Sequence, residues 1–327
     1  MSHSRFQWGI LGTGHIAGVF AEGVLDSSRG TLAAVGSRQA GTAQAFATKY
    51  KIPKVHATYD ALLADPSVEG IYNSLPNSMH HEWTIKALRA GKHVLCEKPL
   101  ATNLAQVKEM FVEAKKAGRV LVEAFMYRSH PMTKGVQKTI AEGRIGKVRM
   151  IRSSFIYATG NIEGNVRFSQ PLAGGSLMDI GCYCISFSRL FAGAEPTRMQ
   201  AYGHMHETQV DDYAAGVMMF PGDITADFAC GMTVCADNTA WILGTEGYIE
   251  IPVPWKPPAT DAQFTVVDRT GQRHTTRVDA GKHLYALEAD DFAATALDDA
   301  PPAFSEQDSL GNQCCLDEMR RQIGMKF

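Results

Sequence analysis

Four short stretches of the chain carry residue types whose spacing suits chemistry. Gly12-Thr13-Gly14-His15-Ile16-Ala17 is a G-x-G-x-x-A between an apolar run and a helical pattern, the context in which such glycines serve a dinucleotide. Gly12 permits a tight turn, Gly14 lets the backbone approach a pyrophosphate, and Ala17 lets helix and strand pack closely. The helix start around Thr13, His15 and Ile16 offers backbone N–H groups and a partial positive charge to the diphosphate. The second stretch, Val35-Gly36-Ser37-Arg38, ends the next strand without the acid that would hold the two ribose hydroxyls of NAD. Arg38 can instead pair with a 2′-phosphate or stack on adenine, and Ser37 can donate a hydrogen bond to the same phosphate. The plain alternative is a solvated loop arginine. NADP(H) is therefore expected over NAD(H).

The third stretch is Glu97-Lys98-Pro99, at the carboxyl end of a strand, where open parallel sheets bind their ligands. Lys98 is placed to face a substrate, Glu97 to hold that ammonium or touch the cofactor, and Pro99 to lock the turn. A surface lysine beside a turn proline would give the same tripeptide. The fourth is Gly174-Gly175-Ser-Leu-Met-Asp179-Ile-Gly-Cys-Tyr183, where two glycines lead into a helix. Leu177, Ile180, Cys184, Phe187 and Phe191 form its buried stripe. Asp179 and Tyr183 are four apart, so an α-helix sets carboxylate and phenol one turn apart. They can form one polar site, or a buried pair with only structural duties. His204 and His206 would share one strand face that could hold a metal, but no cysteine or carboxylate stands at a known metal-site spacing. No metal is expected.

The elements that must position these groups change in texture partway along. Apolar runs at Trp8–Leu11, Leu32–Val35, Val55, Ile71–Leu75, His93–Cys96 and Val120–Ala124 read as strands. Helical patterns at Ile16–Leu25, Ala43–Tyr50, His81–Ala90 and Leu104–Ala117 separate them, the last two closed by Gly91 and Gly118. That alternation is βαβ and implies a parallel sheet. After about Gly146 a run of strands follows: Val148–Tyr157, Met199–Met205, Tyr213–Phe220, Ile224–Cys230, Thr239–Leu243, Tyr248–Ile251 and Phe264–Val267. One helix near Leu177–Phe191 interrupts them, and helices return at Leu284–Leu297 and Leu310–Ile323. The expected fold is an α/β Rossmann domain, doubly wound, over residues 1–127. An α+β domain with a large, mainly antiparallel open sheet follows over 128–327, its last helix free to pack back on the first domain.

Composition narrows the function classes. The 327 residues are 45% hydrophobic and 20% charged, enough for two cored domains. Lys plus Arg is 32 and Asp plus Glu 34, a net charge of -2, which leaves no footprint for nucleic acid or an anionic membrane. No apolar run approaches the roughly 18–20 residues that cross a bilayer. The opening Met-Ser-His-Ser-Arg-Phe-Gln has no leader pattern, and the seven scattered cysteines form no disulfide framework. A cytoplasmic location is expected.

Taken in order, Gly12–Ala17, Leu75-Pro76-Asn77-Ser-Met-His80, Ala90–Pro99, Glu123–Arg128 and Gly174–Tyr183 resemble the glucose–fructose oxidoreductase / inositol dehydrogenase family of pyridine-nucleotide oxidoreductases. The likeness continues through Asp211-Asp212-Tyr213, Gly244–Gly247 and the final helix around Asp317. It implies that Lys98 sits near the nicotinamide and the reacting oxygen, and that Asp179 contacts substrate. Tyr183 stands where many members carry an acid–base histidine. Tyrosine is the form of the branch similar to dimeric dihydrodiol dehydrogenase and NADP-dependent D-xylose dehydrogenase, which Ser37-Arg38 and Ala124–Arg128 also resemble. Leu75, Pro76, Asn77 and His80 match positions on the cofactor side, and Arg167 a substrate-side arginine. Tyr127, Tyr157 and Trp241 could line a sugar or diol pocket or be core.

The chemistry expected is reversible hydride transfer between nicotinamide C4 and a carbohydrate-like secondary alcohol or hemiacetal, an aldose, ketosugar or cyclic polyol. Tyr183 would be the acid/base, Lys98 its electrostatic partner, and Asp179 the group that orients the substrate hydroxyl. A trans-dihydrodiol dehydrogenase is the alternative within this chemistry, and a non-catalytic dinucleotide-binding regulator the alternative outside it. A homo-dimer or tetramer through the second domain's sheet is expected, as such oligomers are common.

Overall fold

The computed structural model describes residues 5–325. Six parallel strands form its first sheet: β1 (Phe6–Leu11), β2 (Gly30–Gly36), β3 (Lys54–His56), β4 (Gly70–Asn73), β5 (His93–Glu97) and β6 (Leu121–Ala124). Their order is β3-β2-β1-β4-β5-β6, so the chain reverses its direction of travel across the sheet between β1 and β4. That reversal opens a crevice at the carboxyl ends of the strands. Helices α1 (His15–Asp26), α2 (Ala40–Tyr50), α3 (Tyr59–Leu63), α4 (Asn77–Arg89) and α5 (Leu104–Ala117) fill the crossovers. Phe6, Trp8 and Ile10 on β1 are wholly buried, and Phe20 of α1 stacks on Tyr72 of β4 at 3.7 Å. α5 matches its expected span because both ends are chemically marked. Asn103 accepts from the Gln106 N–H at 3.0 Å, and Gly118 turns left-handed at φ 61°. Such an N-cap is worth about 0.5–2 kcal/mol. α4 starts four residues earlier than its apolar pattern suggests, because Pro76 presets the turn before Asn77.

The second sheet has eight strands. Helix α6 (Pro131–Ala141) precedes β7 (Val148–Ile156); a π-helical turn (Leu177–Gly181) then runs into α7 (Cys182–Ala192). β8 (Arg198–Met205), β9 (Asp211–Phe220), β10 (Ile224–Gly231), β11 (Ala240–Gly244), β12 (Gly247–Ile251), β13 (Ala262–Asp268) and β14 (Arg273–Val278) complete it. Their order is β14-β13-β12-β11-β7-β10-β9-β8; β7 and β10 run parallel and the other neighbours antiparallel. β9 shows why one face is inside: Ala214, Gly216, Met218 and Phe220 are buried while Tyr213, Ala215, Val217 and Met219 alternate outward. The expected buried stripe of α7 is in place, with Leu177, Ile180, Cys184, Phe187 and Phe191 all enclosed.

Helices α8 (Leu284–Asp298) and α9 (Glu306–Gln322) end the described chain. Residues up to Ser129 together with Lys282–Ser309 form one compact unit; His130–Gly281 with the residues from Leu310 form the other. The first boundary falls close to the expected 127/128, but Lys282–Ser309, assigned on sequence to the second domain, belongs to the first. Of the last helix only the first turn, Glu306–Ser309, goes with the first unit, where Lys115 pairs with Glu306 at 2.8 Å, whereas α8 returns whole. Its Phe292 meets Phe6 and Trp8 at 5.7 and 5.0 Å, and Gly23 of α1 allows close approach, since a Cβ there would lie 2.6 Å from that of Tyr285. From Leu310 onward the final helix packs in the second unit, where Gln322 bonds the backbone of Ala201 and Met199 in β8.

Candidate active site

The nucleotide side is built from adjacent strand ends of the first sheet. Gly12 closes β1 at φ 100°, a conformation that favours glycine. A side chain at Gly12 would press on Leu75 and Ser74 at 3.2 Å, whereas one at Gly14 would meet nothing within 4 Å. Gly14 is the N-cap of α1, with no side chain capping the helix and no acid in its first turn. With no acid in that first turn, the backbone N–H groups at Gly14, beside Thr13, His15 and Ile16, fit a diphosphate. Ala17 is wholly buried against the sheet. At the end of β2, Ser37 is enclosed and its Oγ accepts from the Gln39 N–H at 3.3 Å, while Arg38 is exposed. Leu75, Pro76 and Asn77 link β4 to α4, with Asn77 in the helix's first turn. The residues present thus fit a dinucleotide across the β2-β1-β4-β5 strand ends.

Glu97 ends β5 and is buried; Lys98 is half-buried and joined to Pro99 by a cis peptide. The Tyr72 hydroxyl donates to Glu97 Oε1. Burial, with the Glu97 charge next, holds that phenol well above its ordinary value, so it stays a donor. Glu288 of α8 lies in the same region, and both of its oxygens lack a hydrogen-bond partner. Burial first and the Glu97 charge second push its carboxyl well above its ordinary value.

His80 does not line a cofactor surface as expected. It is 0% exposed, with Nδ1 2.8 Å from the Pro99 carbonyl and Nε2 2.7 Å from the Leu75 carbonyl. It links the two loops that carry Asn77 and Lys98. Burial lowers its pKa to about 4, although both carbonyls oppose this. The neutral ring carries one N–H for two acceptors.

In the second unit the expected substrate-side residues converge. Asp179 Oδ2 accepts from Arg167 Nε at 2.8 Å and from the Tyr157 hydroxyl at 2.9 Å. Tyr157 follows β7, and Arg167 sits in a 3₁₀ turn at Val166–Phe168 whose N–H is capped by Asn165. Burial and the Asp179 charge raise the Tyr157 phenol, so it remains a donor to that carboxylate. Asp179 lies on the π-helical turn and Tyr183 on the α-helical turn that follows. The i, i+4 stacking of a plain α-helix therefore does not carry across the pair; the Cys182 N–H reaches back to the Leu177 carbonyl in the wider π pattern. The Tyr183 ring is held edge-on by Phe155 at 5.3 Å and Trp255 at 6.1 Å, and Trp255 is anchored by its indole N–H on the Ser154 carbonyl at 2.7 Å.

Other expected positions fall elsewhere. Tyr127 is 1% exposed in a 3₁₀ turn of the first unit, edge-on to Phe125. It packs as a core residue of that unit. Trp241 lies on the open face of the second sheet beside Arg152 and Tyr202. His204 pairs with Asp212 at 2.7 Å and stacks on Tyr213, while His206 bonds Thr208 at 2.9 Å. Among the described residues there is no group of three or more metal-ligating side chains, and no helix is long and apolar enough to cross a membrane. Sequence reasoning missed Tyr72 and Glu288 around Glu97, and it left Asp211 without a role. Their separations in sequence follow no local rule.

Residues 6–125 match the oxidoreductase family with an NAD-binding Rossmann fold, and residues 133–250 match the GFO/IDH/MocA C-terminal domain. The chain belongs to this family of oxidoreductases. Trans-1,2-dihydrobenzene-1,2-diol dehydrogenase of Mus musculus is 36% identical over 254 residues, which cover 77% of this chain and 76% of that one. A 3-ketoreductase from Actinomadura kijaniata, in complex with NADP and TDP-benzene, superimposes with a TM-score of 0.89 at 30% identity, covering 98% of each chain. An aldose–aldose oxidoreductase from Caulobacter crescentus, complexed with glycerol, gives 0.89 at 26% identity over 98% of this chain and 97% of that one. These relatives are dehydrogenases and reductases, which favours an enzyme over a non-catalytic regulator.

Proposed function

We propose that the protein is an NADP(H)-dependent oxidoreductase of carbohydrate-like secondary alcohols or hemiacetals, with Tyr183 as acid/base and Lys98 as its electrostatic partner. The observation that carries this reading is the Asp179 carboxylate, fixed by Tyr157 and Arg167 on the turn just before Tyr183. A carboxylate so held presents a set acceptor to a substrate hydroxyl. The nicotinamide, when bound, supplies the hydride acceptor or donor. In oxidation Tyr183, as phenolate, takes the hydroxyl proton; in reduction it returns the proton to the developing alkoxide. A free phenol titrates near 10, and an ammonium brought close to it would favour its ionised form, the part this proposal gives Lys98. Gly12, Thr13, Gly14, His15 and Ile16 hold the diphosphate, with Leu75, Pro76, Asn77 and Glu97 along the dinucleotide. Ser37 and Arg38 supply the preference for the 2′-phosphate. The Actinomadura 3-ketoreductase, in complex with NADP, supports that choice.

An aldose or ketosugar is the first substrate class, in line with the sugar-acting Caulobacter relative. A trans-dihydrodiol is the second reading, favoured by the 36% identity to the mouse enzyme. The exposed face of the second sheet, with Met150, Tyr202, Val217 and Met219, supports a homo-oligomer through that face. A cytoplasmic location belongs to the same proposal, in keeping with the free cysteines.

Tyr183→Phe tests the central role. We expect kcat to fall by about 10²–10⁴ with NADPH affinity unchanged; full kcat in that variant removes Tyr183 from the chemistry. Lys98→Ala with kcat/KM intact would make Lys98 structural.

A further inference from the structure

The turn that carries Asp179 is fixed by a carboxylate with no part in the scheme above. Asp211 opens β9 and is 0% exposed. Its Oδ2 accepts from the Ser176 hydroxyl at 2.6 Å and from the Leu177 N–H at 2.7 Å. Ser176 holds the N-cap position of the π-helical turn but caps none of its N–H groups with its own side chain. The capping acceptor comes instead from a strand of the sheet beneath, and its charge suits a helix N-terminus. Gly175 completes the fit. It sits at φ 114°, and a Cβ there would lie 2.2 Å from Asp211 Oδ1. The same glycine donates its N–H to the Arg167 carbonyl at 2.9 Å and accepts the Asp179 N–H at 2.9 Å. Gly174 lies closer still to Arg167, its Cβ position 2.2 Å from that carbonyl oxygen. One buried carboxylate thus holds the turn that spaces the backbone of Arg167 from that of Asp179.

We propose that Asp211 is a positioning residue for the reaction: it locks the Gly174–Leu177 turn so that Asp179, and Tyr183 after it, keep a working orientation. The inference rests on the reading of Asp179 and Tyr183 given above. Burial pushes the Asp211 carboxyl up to about 6, against the Ser176 and Leu177 bonds and the Arg320 charge of α9. The Cys230 thiol of β10, itself bonded to the Ser176 hydroxyl, also faces it. Above that pH the carboxylate is the stronger acceptor, and protonation weakens the clamp.

Three variants test the inference. Asp211→Asn keeps an acceptor oxygen and removes the charge, Asp211→Ala removes both, and Ser176→Ala removes the hydroxyl with its bonds to Asp211 and Cys230 while leaving the Leu177 bond, with little risk to folding. Steady-state kinetics from about pH 5 to about pH 9 are paired with NADPH titration by fluorescence. Asp211→Ala should lower kcat about ten- to hundred-fold, the scale of a small misplacement, and Ser176→Ala about three- to ten-fold, the scale of one hydrogen bond. NADPH affinity should stay within about two-fold in both. Asp211→Asn should lose the acid limb near pH 6. Wild-type kcat in Ser176→Ala, with an unchanged pH profile in Asp211→Asn, overturns the proposal whether or not Asp211→Ala folds. Tyr183→Phe run alongside separates the two claims. If it is inactive while the Asp211 and Ser176 variants are fully active, only the positioning role fails. If it is fully active, the reading of the site itself fails.

Discussion

Replacing Arg38 with alanine isolates the cofactor preference from everything else in the molecule. Arg38 is exposed at the end of β2, and no hydrogen bond or ion pair ties it to another described residue. Its loss should leave the fold alone, within the roughly ±0.5 kcal/mol of an ordinary surface change. A hydrogen bond to a charged group contributes about 1.5–3 kcal/mol. Exposure and salt place a guanidinium–phosphate contact here at the low end, about 1.5–2 kcal/mol. At about 1.4 kcal/mol per tenfold, KM for NADP⁺ should rise about 10- to 30-fold. NAD⁺ has no 2′-phosphate, so its KM should hold, and the NADP⁺/NAD⁺ preference should shift by the same factor. Ser37 would soften the loss, because its Oγ accepts from the Gln39 N–H at 3.3 Å while its own hydrogen is left for a phosphate. The assay is initial-rate kinetics with both cofactors at two ionic strengths. The Arg38 contribution should shrink at the higher one. An equal rise for both cofactors would show the arginine stacking on adenine, and no rise for either would make it a solvated loop residue. Both results refute the phosphate argument.

Three further outcomes are expected. Asp65 is buried, which by itself would raise its carboxyl, but bonds from Ser67, His56 and Lys54 outweigh this and hold it well below the usual range. Its stabilisation is therefore present above the unfolded value of about 3.9 and is lost as pH falls below that. Thermal melts of wild type and Asp65→Asn should differ most at neutral pH and converge in acid; a constant gap would contradict the shift. Tyr202 is 75% exposed and Met219 49% on the outer face of the second sheet, so Tyr202→Glu with Met219→Lys should lower the mass seen by light scattering. An unchanged mass would place any oligomer contact elsewhere. Activity should survive a chelator, and activity lost to it and restored by zinc would overturn the metal-free scheme.

The first unit was legible because its instructions are local. The Gly12–Ala17 turn, the Asn103 and Gly118 caps of α5 and the strand-end position of Lys98 each sit within a few consecutive residues, where backbone conformation follows directly from residue type. The second sheet was legible for the same reason in β9, whose alternation is strict. Three elements escaped. β14 reads Arg-His-Thr-Thr-Arg-Val, an edge strand with no apolar face, held by its ladder to β13 and by Arg273–Glu250 and Arg277–Asp261 pairs. α6 is marked only by Pro131 and the His130 ring that accepts from the Met132 N–H. α3 is a single short turn capped by Thr58. The return of α8 to the first unit escaped too, because its cue is Phe292 meeting Phe6 and Trp8, a contact that spans most of the chain.

The substrate side shows where such reading must stop. Asp179 could be singled out from its place after two glycines, but its chemistry depends on what holds it. Arg167 lies 12 residues before it, Tyr157 lies 22 before it, and the clamp from Asp211 to Ser176 spans 35. No periodicity links such positions, since each is delivered by a different strand, turn or helix start. Those same contacts decide what the carboxylate can do. A carboxylate already accepting from a guanidinium and a phenol is aimed, so in the proposed scheme it would meet a substrate hydroxyl as an acceptor of fixed direction. Beside it, Phe155 and Trp255 give Tyr183 an apolar wall. The Asp179 contacts are thus polar and directional, and those of Tyr183 aromatic. Under the proposed function, that pairing would meet a ring bearing adjacent hydroxyls on one side and carbon on the other, which describes both proposed substrate classes, an aldopyranose and a cyclic dihydrodiol. Discrimination between them must therefore come from how many hydroxyls are satisfied at once, because an unpaired buried hydroxyl costs far more than a missing methylene.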